Sequence, residues 1–155
     1  SEGEQTGEYR VTGEFSYRNQ YCSIDGLVLA GDALGFLDPV FSSGVFLALK
    51  SGVMLADEID EIIKNGEAFT SGSFDRYGKR MQSSIEIMRK IVYAFYDENF
   101  SFGSLVKRGE HLRSSLTDCL IGNVDDQDFR ELFEAMSDLA ELPEPVDCGL
   151  AHVTS

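Results

Sequence analysis

Positive charge is what this sequence most lacks. Thirteen Lys and Arg stand against 27 Asp and Glu, a formal net charge of −14 over 155 residues. That disfavours a nucleic-acid partner, because holding phosphates takes clustered Lys and Arg. The plain reading of the excess is a soluble, acidic surface. Cysteine is also sparse. Cys22, Cys119 and Cys148 lie far apart, form no C-x-x-C and sit at no ligand spacing from the two histidines, His111 and His152. No metal site is expected, and the pattern fits a reducing, cytoplasmic compartment. No run approaches roughly 18 apolar residues, so no membrane span is expected, and no signal peptide is expected.

What is present is the composition of a folded domain, 43% hydrophobic and 11% aromatic, with enough chain to bury a core. The sequence is organised around one stretch, Gly31-Asp32-Ala33-Leu34-Gly35-Phe36-Leu37-Asp38-Pro39-Val40-Phe41-Ser42-Ser43-Gly44-Val45. A short apolar run, Leu27 to Ala30, precedes it, and a long apolar-periodic run to about Lys64 follows. The order is strand, glycine-punctuated loop with two carboxylates, then a helix N-terminus. Open α/β folds bind ligands where a strand delivers such a loop to the sheet edge. A helix N-terminus offers unpaired N–H groups and about half a positive charge. The arrangement suits an anion or an electron-accepting ring.

Around that centre, residues 1–8 read as a polar lead, and the chain is expected to be a piece of a longer protein. Tyr9 to Tyr17 alternates as an edge strand would. Asp25-Gly26 signals a turn, and Leu27 to Ala30 a short buried strand whose sheet neighbours must come from elsewhere. The spacing predicts a helix from Gly44 to about Asn65, roughly 33 Å long at 1.5 Å per residue. Its inner face is Val45, Ala48, Leu49, Gly52, Leu55, Ala56, Ile59, Ile62 and Ile63, with Gly52 allowing close approach to a sheet and Asn65-Gly66 as the stop. A second helix follows from Ser73 or Phe74 to about Tyr96, with Phe74, Tyr77, Met81, Ile85, Met88, Val92 and Phe95 inside. A third covers about 104–120. A fourth runs from about Asp126 to Ala140, with Phe129, Leu132, Phe133, Met136 and Leu139 inside. Asp125, Asp126 and Asp128 suit the positive start of the fourth helix, and Pro143 and Pro145 end it.

The central stretch resembles the second FAD-binding motif of flavin-dependent monooxygenases, and in detail that of flavin-dependent halogenases, G-D-A-x-x-F-x-D-P-x-x-S-S-G-V. Geranylgeranyl reductases have a more glycine-rich version of the loop. The likeness covers about residues 15–65 well and the helical remainder less diagnostically. It implies an α/β fold: the C-terminal part of an FAD-binding, Rossmann-like domain of the hydroxylase type, mostly helical with few short strands. Residues 1–65 would close the FAD-binding domain and 66–155 form a helical C-terminal region.

The resemblance also implies roles. Asp32 would accept hydrogen bonds from ribityl hydroxyls. Gly31 would let the backbone approach, and Pro39 would pack beside the isoalloxazine. The N–H groups at Gly44, Val45 and Phe46 would face the pyrimidine edge of FAD, where reduction accumulates negative charge. Ser43 and Gly44 match the positions that hold a halide in the family. Asp38 belongs to the cofactor-binding set, or else caps the loop and orients its neighbours. No catalytic residue can be assigned. A small-molecule substrate, a flavin reductase or other electron donor, and a missing N-terminal FAD-binding half are implied.

Other readings of the same residues stay open. Asp32 and Asp38 could be a metal or glycosidase pair. Ser42 or Ser43 could be a nucleophile, although neither lies in G-x-S-x-G, or the helix N-cap. Tyr17, Phe36, Phe41 and Phe46 could line a substrate pocket or simply be core. Lys50 reads as solvated, and His111, amid Arg108, Glu110 and Arg113, as a surface residue. The G-x-G-x-x-G fingerprint that grips the pyrophosphate is absent. Halogenation, hydroxylation and reduction of isoprenoid double bonds are all compatible with the residues present. So is a non-enzymatic helical interaction module that has lost the cofactor.

Overall fold

The computed structural model describes residues 7–9, 11, 13, 15–124 and 127–146. The polar lead at 1–6, Asp125, Asp126 and Cys148 fall outside the described residues. Strands are short: β1 (Tyr17–Arg18), β2 (Ser23–Ile24), β3 (Leu27–Val28) and β4 (Gly35–Phe36). β2 and β3 form an antiparallel hairpin, Ser23 opposite Val28 and Ile24 opposite Leu27. Its turn is at Asp25-Gly26, where Gly26 has φ +79°. The predicted turn is therefore correct, but the strand after it is neither fully buried nor parallel. Leu27 is exposed, and β3 draws its partner from five residues upstream because a tight turn makes the local pairing the least costly one in entropy. β1 pairs antiparallel with β4, Tyr17 opposite Phe36. Of the edge strand expected over Tyr9 to Tyr17, only Tyr17 among the described residues is in a strand, and Tyr9 and Val11 are exposed.

Among the described residues five helices follow: α1 (Ser43–Asn65), α2 (Asp75–Tyr96), α3 (Phe102–Val106), α4 (Glu110–Ile121) and α5 (Arg130–Ser137). α1 ends as predicted on Gly66, left-handed at φ +68°, whose N–H closes on the Ile62 and Ile63 carbonyls. A 3-10 turn over Ser71–Phe74 leads into α2. The single helix expected near 104–120 is two, broken at residues 107–109, where Gly109 precedes α4. The fourth helix starts later than predicted. Asp128 turns its carboxylate onto the Arg130 N–H and guanidinium, which ends the loop there. None of these helices, among the described residues, is long and apolar enough to cross a membrane.

α2 is the spine, and both cores form on it. Tyr77, Met81, Ile85 and Met88 pack with Leu34, Leu37, Leu47, Met54 and Ile62 from the loop and α1. Ile91 and Ala94 pack with Leu105, Leu112, Leu116, Cys119, Leu132 and Met136 from α3, α4 and α5. The predicted inner residues of α2 are buried except Phe95, which is half-exposed; Ile91 and Ala94 take that place.

α1 departs most from its expected orientation. Its inner face is Ser43, Leu47, Ser51, Met54, Glu58 and Ile62. Val45, Leu49 and Val53 are 73%, 68% and 63% exposed, and Ile63 is exposed with them. Gly52 lies on that outer side, with nothing within 4 Å of where a Cβ would stand. The helix is apolar on two sides, so periodicity marked an apolar stripe without saying which stripe meets this chain's own core. Ser51 and Glu58 can point inward because each has partners there. Glu58 is gripped by the Arg76 guanidinium from α2, and Ser51 is bonded to the Gly31 loop.

Candidate functional site

The loop between β3 and α1 is built by side chains that fasten its backbone. Gly31 takes φ +54°. Its N–H donates to Ser51 Oγ at 2.8 Å, and Ser51 donates on to the Ala48 carbonyl. A Cβ on Gly31 would come 3.4 Å from Ala48. Here glycine allows both the left-handed turn and the close seat on α1. The Tyr17 hydroxyl donates to the Asp32 carbonyl and the Asn19 amide to the Ala33 carbonyl. Tyr77, buried on α2, donates to the Leu29 carbonyl at 2.7 Å, and burial pushes its phenol up to about 12.

These bonds use the backbone of the loop and leave the Asp32 carboxylate exposed at the surface. Asp38 is engaged. Its Oδ1 accepts from Val40 N–H at 3.0 Å and from the Tyr96 hydroxyl at 2.9 Å, while its own N–H donates to Ser16 Oγ. The sequence contained the first of these as a local turn signal; Tyr96, 58 residues away, could not be read there. Pro39 opens a 3-10 turn and is exposed.

Ser42 then swings to φ 54°, left-handed, and α1 begins with no side-chain cap. The expectation that a serine hydroxyl caps this helix is therefore not met. The left-handed turn aims Ser42 away, and Ser43 is turned inward. Helical geometry leaves the N–H groups of Ser43, Gly44 and Val45 without intrahelical acceptors. Ser43 Oγ is buried, with the residue 4% exposed, and has no hydrogen-bond partner. Gly44 faces open space. Phe46 turns its ring inward against Gly122 at the end of α4, under the Lys50 ammonium at 5.7 Å.

The aromatic residues named from sequence separate. Phe36 stacks with Phe15 and Tyr17, at 5.3 and 6.2 Å between centroids. Phe41 packs edge-on to Phe95 and Phe102. They do not form one pocket with Phe46. His111 is exposed, 3.7 Å from Glu131.

An exposed carboxylate, a close-approach glycine and an uncapped helix start lie together on one loop. Comparisons with known proteins place the chain among its relatives. Over 104 residues the chain is 33% identical to a 1H-pyrrole-2-carbonyl-[peptidyl-carrier protein] chlorinase of Pseudomonas fluorescens, covering 67% of this chain and 23% of that protein. It is 32% identical over 92 residues to a tryptophan 2-halogenase of Chondromyces crocatus, covering 59% and 17%. It is 26% identical over 146 residues to the flavin-dependent halogenase armH1 of Armillaria mellea, covering 94% and 25%. No family model matches. The chain is a relative of the flavin-dependent halogenases, an oxidoreductase-type enzyme family, and FAD is the cofactor that relationship brings. It spans about a quarter or less of the length of these relatives.

Proposed function

We infer that this chain is the C-terminal section of an FAD-dependent oxidoreductase of the halogenating kind, and that it supplies the ribityl and isoalloxazine side of the flavin site. The observation that carries the reading is the start of α1. Three backbone N–H groups have no intrahelical acceptor there, beside the buried, unpartnered hydroxyl of Ser43. Orphan donors at a helix end favour an electron-rich partner, and a buried hydroxyl without a partner costs stability until one arrives.

FAD, when bound, supplies the redox chemistry. The chain's residues bind and orient it. Asp32 accepts from the ribityl hydroxyls through a carboxylate that the loop leaves exposed. Gly44 leaves room for a planar ring to approach the helix end. The Ser43, Gly44 and Val45 amides stabilise negative charge at the near edge of the ring. Ser43 and Gly44 hold a halide beside it. Asp38 keeps the Pro39 turn in register through its bonds to Val40 and Tyr96. Gly31 and Pro39 shape the approach, and Phe46 anchors the first turn of the helix from behind. The substrate is a small molecule, and the electrons come from a flavin reductase. A halide requirement for turnover separates this reading from hydroxylation or isoprenoid reduction.

Titration with FAD, followed by flavin absorbance, tests it in the protein carrying this chain. Asp32→Ala is expected to weaken binding by about 1–3 kcal/mol, the cost of leaving polar groups unpaired. A Cβ at Gly44 would stand in open space, so Gly44→Val is expected to keep the fold and lose the flavin. Unchanged affinity in both variants would overturn the placement.

A further inference from the structure

A cavity of about 1030 Å³ lies on the far side of the Asp38 turn, between the arm before β1, the last turns of α2 and the segment after α5. None of the roles given to the loop uses it. Its volume is at the upper end of the roughly 300–1,000 Å³ of small-molecule sites. Three rings border it, Phe15, Tyr93 and Tyr96, each about half-exposed. Large rings held at the rim of a concavity are apolar area that a ligand can cover. Two of them are held in place. Phe15 stacks on Phe36, and Tyr96 is tethered through its hydroxyl to Asp38.

The charge around the rings is mostly negative. Among the described lining residues, Asp38, Asp97, Glu141 and Glu144 stand against one cation, Arg89. That cation is already paired, with Glu86, which Arg18 also binds. Its guanidinium forks onto both oxygens of Glu86 and donates to the Glu144 carbonyl. It also lies 5.5 Å from the centre of the Tyr93 ring. The wall of the cavity thus already seats one cation on an aromatic face, and the remaining carboxylates set a negative potential that a low-dielectric concavity focuses.

We propose that this cavity is a binding site for a small aromatic cation, a planar ring carrying a protonated amine, and that it discriminates against aromatic carboxylates. The ring lies among Phe15, Tyr93 and Tyr96, and the ammonium faces Glu141 and Glu144 at the mouth. The site is independent of the flavin reading, because it is formed by the described residues without the uncapped end of α1. It shares Leu37 and Asp38 with the flavin loop and is tied to that loop by the Tyr96–Asp38 hydrogen bond and the Phe15–Phe36 stack.

The probes are 2-naphthylmethylamine, 2-naphthylmethanol and 2-naphthoate, titrated by calorimetry into the protein carrying this chain at low and high salt. The amine is expected to bind about tenfold more tightly than the acid, with the alcohol between them and the preference shrinking as salt rises. Tyr93→Ala is expected to weaken all three probes. The double variant Glu141→Gln, Glu144→Gln is expected to weaken the amine alone; both residues are exposed, and the change leaves the fold intact by circular dichroism. Equal affinity for amine and acid would overturn the charge assignment. Binding of none of the probes, or binding that Tyr93→Ala leaves unchanged, would overturn the site.

Discussion

Gly122→Ala is a small substitution with a large expected effect. Gly122 ends α4 at φ +80°, a conformation that costs an L side chain about 1–2 kcal/mol. A Cβ there would also stand 2.1 and 2.2 Å from two carbons of the Phe46 ring. Normal contact is about 3.5–4 Å, so the ring must move by more than an ångström. Overpacking of this kind costs about 1–3 kcal/mol, and together the two effects give about 2–5 kcal/mol. Phe46 is the fourth residue of α1, so the strain falls on the turn that carries the unpaired amides. Urea unfolding followed by circular dichroism measures the loss, and amide NMR shifts at Ser43, Gly44 and Val45 report the displacement. In a Phe46→Ala background the clash disappears, and Gly122→Ala is expected to cost only its backbone share of about 1–2 kcal/mol. A cost below about 0.5 kcal/mol, or the same cost in both backgrounds, would refute the reasoning.

Ser43→Ala is expected to leave the stability of the chain unchanged or raise it by up to about 1 kcal/mol, because the hydroxyl it removes is buried without a partner. A loss above about 1 kcal/mol in urea unfolding would show that the hydroxyl is engaged. Alkaline pH is expected to destabilise the fold. Burial pushes the Cys119 thiol from 9.0 up to about 12 and the Tyr77 phenol from 10.0 up to about 12. Both groups stay protonated in the folded state where the unfolded chain ionises. Their contribution is thus intact below about pH 9 and is lost as pH rises through 9 to 12, by up to about 1.4 kcal/mol per pH unit for each group. Unfolding free energies that stay flat from pH 8 to 11 would contradict the burial of both. Burial also pushes the Cys22 thiol up, so the double variant Cys22→Ala, Cys119→Ala is expected to delay the onset towards the tyrosine's range.

The sequence alone determined the parts of this protein that depend on neighbouring residues. The Asp25-Gly26 turn, the end of α1 at Gly66 and the length of α1 and α2 are set by backbone freedom and local periodicity. The order of strand, aspartate-bearing loop and helix start was legible for the same reason, and it carried the family resemblance and the cofactor. Tertiary structure decided what depends on partners far along the chain. α1 has apolar residues on two sides, so only packing against α2 determines that Leu47 and Met54 turn inward while Val45, Leu49 and Val53 face out. The bonds from Tyr96 to Asp38 and from Ser51 to Gly31 span 58 and 20 residues. Neither partner has a local signature, because hydrogen-bond distance is a property of the folded path and not of spacing along the chain.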